Sequence, residues 1–215
     1  YGQYDLDWLI SSMGLAVKDS ALVFKISENG VRAFEDLLLA RYHMIDQVYF
    51  HKTKAGFTHY LEQVIQTKEI DIQIPTDPYA YADLRDGKVI ELMFEAAKDE
   101  RNYWSHHLIR RIPPKRILRL QRTNLEDMAT FDKLKGICEK NDIRYFTHEA
   151  AGELSHFGEG SDANELIYVA KKVLGGIEHV PISQYSDLLQ KYNEKLNFID
   201  FFVFREDFEK FQSVL

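Results

Sequence analysis

The sequence predicts a mainly helical part over residues 1–112 followed by a small α+β module over residues 113–215, and three observations lead there. Apolar residues recur at helical spacing from Ser27 to about Thr67. A proline pair, Pro113-Pro114, then interrupts the chain. Beyond it, short apolar runs alternate with helical patterns, as in a small mixed fold.

In order, Ser27 is placed to cap the first long helix, and Leu37, Leu38, Met44, Ile45 and Val48 mark its core stripe. The apolar pattern continues through Phe57, Tyr60, Leu61, Val64 and Ile65. Ile70 to Pro75 alternates like a brief extended segment, ended by Pro75 and Pro78. A further helix begins near Tyr81 and runs to Met93, with Asp83 and Asp86 before it; acidic residues there cap a helix and complement its dipole more often than they pair on a metal. Tyr103 to Arg111 forms another helix. Past the prolines, Lys115–Leu120 reads as a strand, Leu125–Asn141 as a helix, and Ile143–Thr147 and Glu165–Ala170 as strands. Pro181–Leu189 is helical, Asn197–Phe204 is an apolar closing strand, and the glycine-bearing Ala151–Ala163 is a mobile loop.

Composition narrows the function classes. Asp and Glu outnumber Lys and Arg by 34 to 27, a formal charge of −7, which argues against broad binding to nucleic acid or an anionic membrane. The single cysteine, Cys138, excludes an internal disulfide and reads as a buried small hydrophobe on a helix. No apolar run approaches the ~20 residues that cross a bilayer, and no basic-then-apolar leader opens the chain, so the cytoplasm is the expected compartment.

The chemistry concentrates in Leu39 to Lys52, where Arg41, Tyr42, His43 and Lys52 share one predicted helix. A guanidinium presents fixed donors to phosphate oxygens, an ammonium adds a movable charge, and a phenol offers a flat face with a hydroxyl. Phosphate plus a ring is the chemistry of a nucleotide. The competing reading is an ordinary core helix with common surface residues. His43, His51 and His59 recur every eight residues, which precesses about 80° per step, so they do not share a metal. The adjacent His106 and His107 face different sides of a helix, and Gly158-Glu159-Gly160 lacks the setting of a phosphate loop. Arg110, Arg111, Lys115, Arg116, Arg119 and Arg122 form a basic group in an acidic chain, read first as a solvated or salt-bridged face.

The run Tyr1-Gly2-Gln3-Tyr4-Asp5-Leu6-Asp7-Trp8-Leu9-Ile10, the hairpin-like insert Ala16 to Phe24 and the helix from Ser27 through Val48-Tyr49-Phe50-His51-Lys52 together resemble the HD-domain phosphohydrolases. The resemblance is to the branch with deoxynucleoside triphosphate triphosphohydrolases and the animal SAM-and-HD-domain dNTPase, and is specific over the first ~65 residues. Family members hold one or two divalent metals, Mg, Mn or Fe, on a His, a His-Asp pair and a later Asp. Those positions lie upstream of the one matched by Tyr1, and the chain has no His-Asp dipeptide. The resemblance therefore implies the C-terminal portion of such a protein, with no metal held by this chain alone.

It further implies that Arg41 approaches a substrate triphosphate, that Tyr49 lies near sugar and base, and that His51 and Lys52 lie close to a nucleotide. Phe50 stands where the animal enzyme has a glutamine that addresses the sugar hydroxyl. Arg111 and Lys115 match residues that touch an activating nucleotide at a subunit interface. In the family's reaction, water activated at the metal centre attacks the α-phosphorus and releases triphosphate, with Arg41 stabilising phosphate charge. A homo-oligomer acting on dNTPs is the implied protein. The alternative is a non-catalytic regulatory or oligomerisation module of an HD-family protein.

Overall fold

The computed structural model describes residues 3–152, 167–191 and 196–215. In chain order its elements are α1 (Leu6–Ser12), β1 (Met13–Lys18), β2 (Ala21–Ser27), α2 (Val31–Met44), α3 (Lys52–Gln66), α4 (Pro78–Ala82), α5 (Asp86–Ala96), α6 (Tyr103–Ile109), β3 (Lys115–Gln121), α7 (Leu125–Lys140), β4 (Tyr145–Gly152), β5 (Ile167–Val173), β6 (Gly176–Pro181), α8 (Ile182–Tyr185), α9 (Asp187–Lys191), β7 (Leu196–Val203) and α10 (Phe208–Val214). The result is a mixed α+β architecture, in which the mainly helical first part also carries the β1–β2 hairpin.

Two compact units emerge, each discontinuous in the chain: Tyr1–Tyr49 with Ala151–Asn197, and Phe50–Ala150 with Phe198–Leu215.

The first unit holds a four-stranded sheet in the order β1-β2-β5-β6. β1 and β2 form an antiparallel hairpin in which Leu15 faces Phe24 and Val17 faces Leu22. Asp19 and Ser20 close it with φ of 51° and 64°, the two-residue geometry whose twist suits flanking strands. β2 runs parallel to β5, pairing Phe24 with Ile167 and Ile26 with Val169, and β6 returns antiparallel. Asp5 caps α1 by accepting the Trp8 N–H at 2.9 Å. Ser27 does not cap with its side chain; a 3-10 turn, Glu28–Gly30, leads into α2 instead. Gly30 is required there, since a Cβ would collide with the Ser12 side chain. Leu9, Ile26, Val31, Phe34, Leu38, Val169 and Ile182 make the core. Of the predicted α2 stripe only Leu38 is buried; Met44 and Val48 are exposed.

The second unit centres on a three-stranded sheet, β3-β7-β4. Alternation along β7 explains its continuous apolar run, because both faces are covered. Phe201 and Val203 pack with Leu134, Cys138 and Phe211 of α7 and α10. Phe202 and Phe204 pack with Ala55 and Tyr60 of α3 and with Tyr103 and Trp104 of α6. Cys138 is fully buried, and burial pushes its thiol up, as suits a small hydrophobe. Gly56 of α3 lies so close to Pro114 that a Cβ would meet its ring at 2.6 Å.

Ile70–Pro75 joins neither sheet, and β4 starts at Tyr145 because Asp142, with φ 50°, and the Ile143 N–H to Cys138 carbonyl bond close α7 first. The helix expected over 181–189 is two short ones, α8 and α9, parted at Ser186. The expected loop's residues 153–163, together with Glu165 and Leu166, lie outside the described residues. Among the described residues no helix is long and apolar enough to cross a membrane.

Candidate functional site

Arg41 stands in the last turn of α2, exposed. Immediately after α2 the helix widens into a π-helical turn, Ile45–Tyr49, with the Ile45 N–H shared between the Arg41 and Tyr42 carbonyls. Such turns are rare and recur at functional sites, because the inserted residue rotates the side chains that follow. No residue of this turn is buried, and Tyr49 is 52% exposed. Arg41 and Tyr49 make no ion pair or side-chain hydrogen bond among the described residues. They end the first unit's N-terminal segment as an exposed cation and an exposed phenol.

The predicted helix does not run on to Lys52. His51 breaks it with extended backbone (ψ 134°), and its Nδ1 accepts the Thr53 N–H at 3.2 Å, capping α3. That bond makes Nδ1 the acceptor, so the neutral ring carries its proton on Nε2. Lys52 opens α3 and is exposed. These two residues belong to the second unit, whereas Arg41 and Tyr49 belong to the first.

An interior ion cluster holds the start of α3. Asp200 of β7 is 1% exposed and takes Arg119 at 2.9 Å and Arg116 at 3.3 Å from β3. Arg119 also donates to the Phe50 carbonyl. Two guanidinia on a buried carboxylate thus anchor the backbone just before His51 and Lys52. Arg122 pairs with Glu149 at 2.6 Å. Half of the basic group is therefore structural, and Asp200 is the residue that sequence reasoning missed. Its signal was a single carboxylate inside Phe198-Ile199-Asp200-Phe201-Phe202, on a strand with two arginines across the sheet.

Arg110, Arg111 and Lys115 remain exposed. Arg111 sits in the left-handed region (φ 55°), where its N–H bonds the Leu108 carbonyl and the Ile112 N–H bonds that of His107. This is the Schellman closure of α6, at the position that ordinarily favours glycine. Lys115 opens β3, its ammonium 5.6 Å from the Phe208 ring centre.

A second polar cluster braces α6. His107 contacts Glu206 through Nε2 at 2.7 Å and the Tyr103 carbonyl through Nδ1 at 2.8 Å, while the Tyr103 hydroxyl donates to Glu206 at 2.8 Å. Burial pushes the Tyr103 phenol up, and its bond to Glu206 adds to this. Burial alone would raise Glu206, but the bonds it accepts outweigh burial and hold its carboxyl low. His59 stacks on Phe146 at 3.8 Å, and burial keeps its imidazole below the ordinary value.

In the first unit, Glu28, Arg32, Glu35 and Tyr185 line a cleft of about 510 Å³. Its two glutamates are answered from within: Glu28 by the Lys172 N–H at 3.0 Å and the Tyr185 hydroxyl at 3.1 Å, Glu35 by the Ser186 hydroxyl at 2.6 Å.

Among the described residues no group of three or more His, Cys, Asp or Glu is placed to hold a metal ion. Asp83 ends α4, and Asp86 sits in the first turn of α5.

A hypothetical protein from Aquifex aeolicus is 25% identical with a TM-score of 0.71, over 99% of this chain and 52% of its own. A phosphohydrolase from Bacteroides thetaiotaomicron shares the fold, at 18% identity and a TM-score of 0.58, over 89% of this chain and 54% of its own. This chain thus spans about half the length of either solved protein. No curated protein matches it. The HD associated region family matches residues 4–147, from α1 and the hairpin through Arg41, Lys52 and Lys115, and the chain belongs to that family.

Proposed function

We propose that this chain is the nucleotide-facing part of an HD-family phosphohydrolase that cleaves dNTPs to deoxynucleoside and triphosphate. Its divalent metal, Mg, Mn or Fe, is held by residues outside these 215. The observation that carries the reading is the family match through α2 and the π-helical turn, where Arg41 and Tyr49 are exposed and unengaged among the described residues. Arg41 donates to phosphate oxygens and stabilises the charge that develops on them. Tyr49 offers its ring and hydroxyl to the sugar and base. In the other unit, His51 presents Nε2 and Lys52 its ammonium to a nucleotide phosphate. Arg111 and Lys115 serve an activating nucleotide in a homo-oligomer that acts in the cytoplasm.

The test is release of triphosphate from a panel of dNTPs by the product of the full native reading frame. Release dependent on manganese or magnesium, and abolished by chelator, is the expected result. No release, with or without mixed nucleotides as activators, overturns the enzyme reading in favour of a regulatory or oligomerisation module.

A further inference from the structure

We infer that the outer end of the β1–β2 hairpin is a docking face, occupied by the polypeptide that makes up the other half of the longer HD proteins this chain resembles. The inference rests on the reading above, that the chain is part of such a protein.

Register defines the face. Leu15 opposite Phe24 and Val17 opposite Leu22 are cross-strand pairs, so all four side chains project from one side of the hairpin. Ile26, two residues beyond Phe24, and its neighbour Val169 lie on that same side and are fully buried in the core. The hairpin therefore carries the core face of the sheet past the point where helices cover it. Beyond that point Leu15 is 58%, Val17 69%, Leu22 70% and Phe24 57% exposed. On the opposite side of the hairpin Val23 is 5% exposed, so one side of the tip is covered while four large apolar side chains on the other are not, and an uncovered apolar patch of this kind marks a contact surface.

Area decides between occupants. Four such side chains expose on the order of 400 Å² per chain, about half of the ~800 Å² per partner that a stable association of separate molecules uses. A second copy docking through this face alone would meet the full cost of lost translation and rotation. A segment of the same polypeptide meets little of it, because the tether raises its effective concentration. Both solved proteins carry nearly as much chain outside the matched region as inside it, which supplies such a segment.

The experiment places a photo-crosslinker on the face. Phe24→p-benzoylphenylalanine is made in the product of the native reading frame, with Leu174→p-benzoylphenylalanine, at a fully exposed turn, as control. After irradiation of mixed isotope-labelled and unlabelled copies, crosslinked peptides are mapped by mass spectrometry. The expected result is a yield several-fold above the control, joining Phe24 to sequence outside these 215 residues within one copy. Crosslinks between labelled and unlabelled copies, crosslinks that join Phe24 only to residues within these 215, or a yield equal to that of the control overturn the inference. The triphosphate assay on the same sample separates the two readings. Release without the Phe24 crosslink sinks the docking face alone, and the crosslink without release keeps the face while sinking the enzyme reading.

Discussion

Arg41 at the end of α2 and Arg119 on β3 carry the same guanidinium and differ in what answers it. Arg119 is packed against Asp200, the Phe50 carbonyl and the Phe198 ring, so its charge is consumed in holding the second unit together. Arg41 ends a helix in the first unit, exposed and with no ion pair among the described residues. In a chain of net negative charge, a cation that stays unpaired is more informative than a cluster of cations, because acidic neighbours are plentiful.

The sharpest way to break this contrast is to remove the buried carboxylate. Asp200→Ala takes from Arg116 and Arg119 the buried carboxylate they share and is expected to cost about 3–5 kcal/mol in urea denaturation. A loss under ~1 kcal/mol would mean that water already answers those arginines. Arg41→Ala is its counterpart: stability is expected to stay within ~0.5 kcal/mol, as for a surface change. Triphosphate release by the full native protein is expected to fall on the order of 10²-fold, as when a charge-stabilising donor is lost. Unfolding of this variant instead would place Arg41 with Arg119 as a structural cation.

Acid sharpens the comparison within the second unit. His59 is held neutral by burial, so the unfolded chain binds the proton more readily than the folded one. Its contribution is fully present above 6.5, the ordinary value, and is lost as pH falls through 6.5 toward the lower folded value. His59→Phe, which keeps a ring against Phe146, should flatten that part of a stability-versus-pH curve. An unchanged slope would show that another group titrates there. The smallest effect is reserved for Arg111, whose left-handed backbone a glycine tolerates better. Arg111→Gly is expected to stabilise by about 0.5 kcal/mol in thermal melts, the strain relieved being partly offset by entropy. A destabilised variant would show that the guanidinium has a partner in solution.

Locally encoded features were legible in the sequence. The β3 run from Lys115, α7 from Leu125 and the apolar β7 lie where residue patterns put them, and the hairpin around Asp19-Ser20 lies where the family resemblance put it. The break at Phe50-His51 was not, because nothing in His51 as a residue type announces an N-cap; the bond to Thr53 does. Helices α1 and α10 were missed as single short stretches whose caps outweigh weak periodicity. β6 was missed because Gly176–Pro181 reads as a turn until it pairs with β5. At the candidate site, the division of Arg41, Tyr49, His51 and Lys52 between two units and the engagement of Arg116 and Arg119 in an ion cluster depend on contacts far apart in sequence.

The parallel pairing of β2 with β5 has a consequence for synthesis. Phe24 meets Ile167, so about 140 residues leave the ribosome between the two strands, roughly 7–30 s at ~5–20 residues per second. Throughout that interval one edge of the hairpin stays open beside Leu22 and Phe24, the arrangement that invites wrong strand partners. A nascent chain stalled before residue 167 should therefore be a strong client for holdase chaperones, and one released beyond residue 181 a weak one.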